Sequence, residues 1–393
     1  MRGLAAIFIS FCLVGIAASA GYALEIRSAV LRIDYPKVAP ISRFEAMPED
    51  LGFAGATLAD EDNQTTGQFL GHSFETLHVA VPPDQADAAF EKILSDGITI
   101  IVVLAEAEDL LRLADRAGPD VIVVNALSRD TALRSAACRG NVLHTAPSQA
   151  MQADAVAQFA IWKRWPRWFL IHGSNPADVA LADDYRRAAA KFGARIVEER
   201  EFEDTGGSRR TDTGHVLVQR QIPVFTQDAA DHDVVIAADA SDVFAPYLPF
   251  HLWTPRPVLG SAGLRPISLH PAHEAWGATQ FQRRFEALTG RFVRPEDYQA
   301  WLGLRVVAEA VTRTGSDKVA DLRAYILSDA FELAAFMGQK VTFRAWNGQL
   351  RTPVLLYDGR ITVSVSPQDG FLHQRSPLDS LGLDEPESAC EAF

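Results

Sequence analysis

Ile98-Thr99-Ile100-Ile101-Val102-Val103-Leu104 and, one helix further on, Val121-Ile122-Val123-Val124 are apolar runs almost without a polar break. A strand with one wet face alternates polar and apolar residues. A strand covered on both faces does not, and continuous β-branched runs of this kind are the mark of a parallel sheet with helices on either side. Between the runs, Ala107 to Ala117 has helical spacing, so strand, helix and strand make one crossover unit. Working outward, Ile26 to Ile33 and Thr76 to Val81 read as further strands and Gln85 to Leu94 as a helix. Asp50 to Asn63 reads as a helix that an aspartate can cap.

A second set of the same units follows. Gln149 to Trp162 and Ala177 to Phe192 are helical, while Trp168 to His172, Arg195 to Glu201 and Asp233 to Ala237 are strands. Gly206 to Asp212 is a polar loop, and Pro246 to Pro271 is rich in proline and glycine, as a crossing between domains would be. Helices return at Ala275 to Leu288, Pro295 to Thr312 and Leu322 to Leu327. Val354 to Tyr357, Asp358-Gly359 and Ile361 to Val365 spell a hairpin. The fold class is therefore α/β, with two doubly wound parallel-sheet lobes joined by a hinge. Such sheets bind ligands at the carboxyl ends of their strands, so the crevice between the lobes is the expected site.

Arg2 followed by the apolar run Leu4 to Ile16 and small residues up to Ala23 has the form of a cleaved signal peptide, which places the mature protein in the periplasm. Cys12 follows Phe11, too bulky a neighbour for a lipoprotein site. The formal charge of -13 falls to -14 once Arg2 is removed, and without a basic cluster the chain repels phosphate backbones. Nucleic acid is not an expected partner. Two cysteines remain after cleavage, Cys138 and Cys390, and a lone pair in an oxidising compartment is more often bridged than free. Two buried thiols are the alternative.

Motifs for chemistry are scarce. The chain has no dinucleotide fingerprint, no phosphate loop and no Gly-x-Ser-x-Gly elbow. His172-Gly173-Ser174 lacks the second glycine of such an elbow, and proline breaks the spacer of His270-Pro271-Ala272-His273-Glu274, so neither an enzyme nor a metal site is expected. Glu106, Glu108 and Asp109 fit the first turn of a helix, where carboxylates meet the positive end of the dipole. The cluster Trp162-Lys163-Arg164-Trp165-Pro166-Arg167-Trp168 sits at the amino end of a strand, away from the crevice, and reads as packing.

The order of several segments resembles the type I periplasmic binding proteins of the branched-chain amino-acid receptor group. These are Gly55-Ala56-Thr57-Leu58-Ala59-Asp60-Glu61-Asp62-Asn63 with Gly67 and Gly71, Asn141 to Ser148, Thr312 to Ser316, and Phe343 to Leu350. The resemblance implies that residues 24–147 with 265–340 form lobe one, 148–264 with 341–365 lobe two, and 366–393 a tail. Trp276-Gly277-Ala278-x-Gln280, Asp297-Tyr298-x-Ala300-Trp301 and the tail Leu378 to Cys390 are similar to a narrower group. That group comprises ABC-transporter binding proteins associated with PQQ-dependent alcohol oxidation. It implies a monomeric carrier that needs no cofactor and serves the membrane subunits of a transporter. Its ligand would be PQQ or an alcohol-derived metabolite. A periplasmic accessory delivering cofactor to a quinoprotein dehydrogenase is one alternative, and an amino-acid receptor another. The second fits poorly, because Leu104-Ala105-Glu106-Ala107-Glu108 stands where receptors of that group carry hydroxyls for a carboxylate.

For a flat ligand carrying three carboxylates, Trp276, Tyr298 and Trp301 are the stacking candidates, and Arg43, Arg129 and Arg265 the cations. Ser128, His172 and Asp239 lie at expected strand ends and could supply hydrogen bonds.

Overall fold

Strand β1 (Glu25–Ile33) opens the first sheet and is followed by α1 (Phe53–Leu70), β2 (Ser73–Val81), α2 (Ala86–Ser95), β3 (Ile100–Leu104), α3 (Ala107–Ala117), β4 (Ile122–Asn125) and β5 (Val142–His144). The computed structural model describes residues 23–36, 46–203 and 212–393. All pairings in this sheet are parallel, in the order β2-β1-β3-β4-β5, so the winding reverses beside β1. Every residue of β3 and β4 is buried, as the unbroken runs require.

The chain then crosses to a second sheet. Helix α4 (Gln149–Trp162), β6 (Arg167–Gly173), α5 (Pro176–Phe192), β7 (Arg195–Phe202), α6 (Asp212–Phe225), β8 (Val234–Ala238), α7 (Leu248–His251) and β9 (Val258–Gly260) repeat the plan, in strand order β7-β6-β8-β9. From β10 (Arg265–Ile267) the chain returns to the first lobe with α8 (Ala278–Thr289), α9 (Pro295–Thr314), α10 (Val319–Ile326) and β11 (Leu333–Ala334). The short strands β12 (Lys340–Phe343) and β13 (Leu350–Arg351) lead to the expected hairpin, β14 (Val354–Tyr357) and β15 (Thr362–Ser366), which joins β10 in a separate sheet. Each lobe has a core on both faces of its sheet. In the first lobe one layer holds β1, β3, α1, α8 and α9, and the other holds α2 and α3. The second lobe packs α4 and α5 on one face and α6 and α7 on the other. Val341, Phe343 and Leu350 join the first lobe's core, whereas Val354 and Leu356 join the second. The passage between lobes therefore falls within 341–365, a stretch the sequence reading had given wholly to lobe two.

Asp50 does not cap α1. The cap position is Gly52, and its N–H donates to Asp297 Oδ1 at 2.8 Å, from the far end of the lobe. Asp297 is fully buried and also receives both terminal nitrogens of Arg291. The two helices pack so closely here that a Cβ on Gly55 would lie 1.9 Å from the Asp297 carbonyl oxygen.

Three passages connect the lobes, and Arg134 binds two of them. Its guanidinium donates to the carbonyls of Ser128 and Asp130, to Ala146 O at 2.7 Å and to Gln349 Oε1 at 2.8 Å. The tail spans both lobes as well. Gly382 N donates to Asp154 Oδ2 at 2.7 Å in lobe two, while the Ser388 hydroxyl donates to Arg134 O and Cys390 is bridged to Cys138 in lobe one. The buried Asp379 accepts from Arg344 and Arg351 between them. The expected disulfide is thus part of the structure, and the segment expected to precede residue 24 lies, apart from Ala23, outside the described residues.

The Thr131 hydroxyl joins the lobes beside the crevice, donating to Asp184 Oδ2 on α5 at 2.9 Å and accepting from Ala150 N on α4 at 3.1 Å. Burial pushes the Asp184 carboxyl up to about 6, against the opposing pull of that hydroxyl.

Arg134→Lys should keep the charge but lose the fork that reaches four acceptors, lowering stability in urea unfolding at pH 7 by about 3 kcal/mol. A carboxyl raised on folding holds its proton between about pH 4 and 6, where the unfolded chain has released it. Its contribution is complete below about pH 4 and lost as the pH rises through 6. Asp184→Asn should therefore flatten the fall in Tm across this window and, in urea unfolding at pH 7, raise stability by an amount on the order of 2 kcal/mol.

Candidate functional site

The carboxyl ends of the strands and the amino ends of four helices meet between the lobes around a cavity of about 620 Å³. Glu106 and Ala107 bring the start of α3, Gln149 that of α4, Ala177 that of α5, and Pro295 and Glu296 that of α9. Four positive helix ends facing one space favour an anionic or strongly hydrogen-bonding guest.

The loop after β4 gives the first lobe's contribution. Asn125 Oδ1 accepts the N–H groups of Leu127 and Ser128, its Nδ2 donates to Ser128 O at 2.7 Å, and Arg134 holds the same carbonyl. This places Ser128 and Arg129 on the cavity wall. The Arg129 side chain is exposed and makes no ion pair with a described residue. From the hinge side, Arg265 lines the same space and lies 4.7 Å from the Tyr357 ring, again without a carboxylate partner among the described residues. Its charge partly offsets the burial that raises the Tyr357 hydroxyl.

Asp239 also reaches the cavity, but both of its carboxylate oxygens already accept backbone N–H groups, from Val243, Phe244 and Ala245 at 2.7–2.9 Å. Burial raises it and those three bonds oppose the rise, so its role is to shape the loop after β8. Ser261, whose hydroxyl accepts the Asp239 N–H, completes that edge.

Four expected site residues are elsewhere. His172 lies within β6, with Nδ1 2.8 Å from the Gly173 carbonyl and Nε2 3.3 Å from Glu199, beneath the cavity and not on its wall. Tyr298 and Trp301 are core residues of lobe one: the Tyr298 hydroxyl donates to Ala335 O at 2.7 Å and Trp301 Nε1 donates to Asp62 at 2.9 Å. Trp276 stands half exposed in the turn before α8, beside His273 and Gly338. None of the three aromatics expected to stack on a flat ring is thus on the described wall of the cavity, whose rings are Tyr185 and Tyr357. Arg43 lies outside the described residues.

The sequence reading missed Gln149 and Gln152 on α4, Gln299 on α9, and Tyr185 and Tyr357, all on the wall. Gln149 and Gln152 lie at the start of a helix that follows a crossing, which is the signal that would have found them, whereas Gln299 is in a helix that follows another helix and carries no such signal. Gln299 is 3% exposed, and neither its Oε1 nor its Nε2 has a partner. Among the described wall residues there is no histidine, lysine or cysteine. What the wall offers is charge and hydrogen bonds. His270, from the histidine pair, stacks on Tyr357 at 4.0 Å instead of facing a metal, and His273 turns to Thr362.

Comparison with known proteins agrees with this geometry. Residues 52–243 match the family model described as periplasmic binding protein. No curated protein matches the chain. Among solved structures, a branched-chain amino-acid ABC-transporter periplasmic ligand-binding protein from Burkholderia xenovorans LB400 superposes with a TM-score of 0.71, covering 93% of this chain and 99% of its own at 15% identity. An ABC-transporter substrate-binding protein from Sphaerobacter thermophilus gives 0.68 over 91% and 100% at 20% identity. A solute-binding protein from R. palustris in complex with benzoate gives 0.62 over 93% and 99% at 13%. The segment 52–243 carries the sequence pattern of the periplasmic binding proteins, and the chain as a whole has the type I fold of that class.

Proposed function

We propose that this protein is a periplasmic solute-binding protein that closes over a small anionic solute and presents it to the membrane subunits of an ABC transporter. The observation that carries the reading is a crevice lined from both lobes, in which Arg129 and Arg265 face the space without a carboxylate partner among the described residues. An unpaired guanidinium in such a site is completed by a carboxylate, which it can hold with two parallel hydrogen bonds. Ligand that contacts both lobes favours the closed arrangement and shifts an existing equilibrium toward it.

The resemblance of Trp276 to Gln280, of Asp297 to Trp301 and of the tail to proteins associated with PQQ-dependent alcohol oxidation supports a solute from that metabolism. Of the two ligands it implies, a carboxylate formed by alcohol oxidation suits this wall better than PQQ. A fused aromatic ring with three carboxylates calls for a stacking face and three cations. Tyr298 and Trp301 are in the core, the rings on the described wall are Tyr185 and a Tyr357 already packed against His270 and Arg265, and two arginines line the cavity. Glu106 and Glu296 give an amino acid a second reading, since either carboxylate could hold an ammonium group.

Calorimetric titration of the mature protein with short and aromatic carboxylates, leucine and PQQ distinguishes these ligands. A carboxylate is expected to bind best, and Arg265→Ala or Arg129→Ala to weaken it by about tenfold or more, as loss of a charged hydrogen bond does. Tighter binding of leucine moves the reading to an amino-acid receptor, and micromolar binding of PQQ moves it to the cofactor.

A further inference from the structure

We infer that Tyr185 grips the solute from lobe two, its hydroxyl donating to an oxygen of a carboxylate whose hydrocarbon body lies along α5. This rests on the reading that the crevice holds an anionic solute, and adds the class of acid and the residue that meets it in the second lobe.

Ala177, Ala180, Leu181 and Tyr185 all line the cavity. Their spacing along α5 puts them on one face of the helix, in a stripe about 12 Å long. The first three are hydrocarbon, and the stripe ends on a phenol. The Tyr185 ring is 1% exposed and belongs to the lobe-two core with Ala188 and Leu259, so packing fixes its position. Its hydroxyl hydrogen-bonds to no described residue, yet it is not one of the unpaired polar atoms sealed inside the protein, as the Gln299 amide is. An unpaired oxygen that is not sealed, on a ring otherwise buried in the wall, opens on the cavity. Gly260 keeps that opening clear. Its φ is +106°, and a Cβ there would lie 2.9 Å from the phenol oxygen and 2.4 Å from the Ala237 carbonyl oxygen.

Folded proteins pair nearly all of their buried polar groups, so a phenol left unpaired at a ligand-sized space has its partner in the ligand. Burial, with the Asp184 carboxylate beside it, raises the Tyr185 hydroxyl, which therefore stays protonated in neutral solution and donates. A donor beside wall arginines suits an oxygen of an anion. The hydrocarbon stripe leading to it offers nothing to a polar chain and buries an apolar one favourably. A carboxylate held by Arg129 in lobe one and by Tyr185 in lobe two touches both lobes, which is the differential contact that closure needs. The guest that fits is an acid with an aromatic or medium-chain body, and not a one- or two-carbon acid.

The test is calorimetric titration of the mature protein with benzoate, 4-hydroxybenzoate, hexanoate, adipate and acetate. At least one of the first four should bind the wild type about tenfold or more tighter than acetate. Tyr185→Phe removes one oxygen and keeps the ring, so it should weaken that acid by about tenfold while leaving the Tm of the solute-free protein unchanged. Loss with benzoate or hexanoate puts the phenol on the carboxylate itself, and loss confined to 4-hydroxybenzoate or adipate puts it on the second oxygen function; either result supports the inference. The inference is overturned by Tyr185→Phe affinities within about twofold of wild type for every acid. It is equally overturned by acetate binding as tightly as the longer acids, or by a lower solute-free Tm in Tyr185→Phe, which would give the hydroxyl a partner in the protein. If Arg129→Ala or Arg265→Ala weakens binding and Tyr185→Phe does not, the anion reading stands and the assignment of Tyr185 falls. If no acid binds, or both arginine variants bind as the wild type does, the anion reading itself falls, and with it this inference.

Discussion

A single buried guanidinium organises the crevice. Arg134 is 2% exposed and has no carboxylate against it in direct hydrogen bond; four neutral oxygens from the β4 loop, the first crossing and the last crossing hold it. Burial lowers it to about 9, so it remains charged in neutral solution. A charge solvated only by carbonyl and amide dipoles cannot tolerate their movement. The loop that presents Ser128 and Arg129 is therefore fixed to the same atom group as the hinge. The cavity wall and the crossings between lobes are mechanically linked through it.

The electrostatics of the wall follow from how the sheets are wound. Helices that follow parallel strands point their amino ends at the strand carboxyl ends, so the positive ends of α3, α4 and α5 converge without any special sequence, and α9, which follows α8, adds a fourth. Acidic residues at those ends, Glu106 and Glu296, are then favourable neighbours of the helices and not signs of a cationic ligand by themselves. Arg129 and Arg265 are the cations of the described wall that no described carboxylate satisfies.

The strands and their parallel pairing were legible because both faces of each sheet are covered, which removes the polar alternation from the sequence. Helix ends were less so. Asp50 has the right chemistry for a cap, yet the α1 cap group comes from Asp297, a partnership between distant residues that no local pattern shows. The same limit explains the misplaced aromatics. Tyr298 and Trp301 are one turn apart and share the face of α9 that packs into the core, whereas Glu296, two positions earlier, lines the crevice. Residue type suggested stacking, but helical phase decided which side chain meets the ligand. Ser128, Arg129 and Arg265 were found because they sit at strand ends or on the hinge, where topology alone assigns the position.

The tail sets a mechanical limit on the machine. Its last backbone hold on lobe two is Gly382, beyond which Glu387 adds only a long surface ion pair to Lys191 at 3.5 Å, and its first hold on lobe one is Ser388. Only the intervening residues can pay out when the lobes part, and six chain steps reach about 20 Å at full stretch. Beyond that length the far end is anchored by the covalent bridge at Cys390, so the hinge has a stop. The same short leash keeps the two sheets from drifting apart beyond that reach.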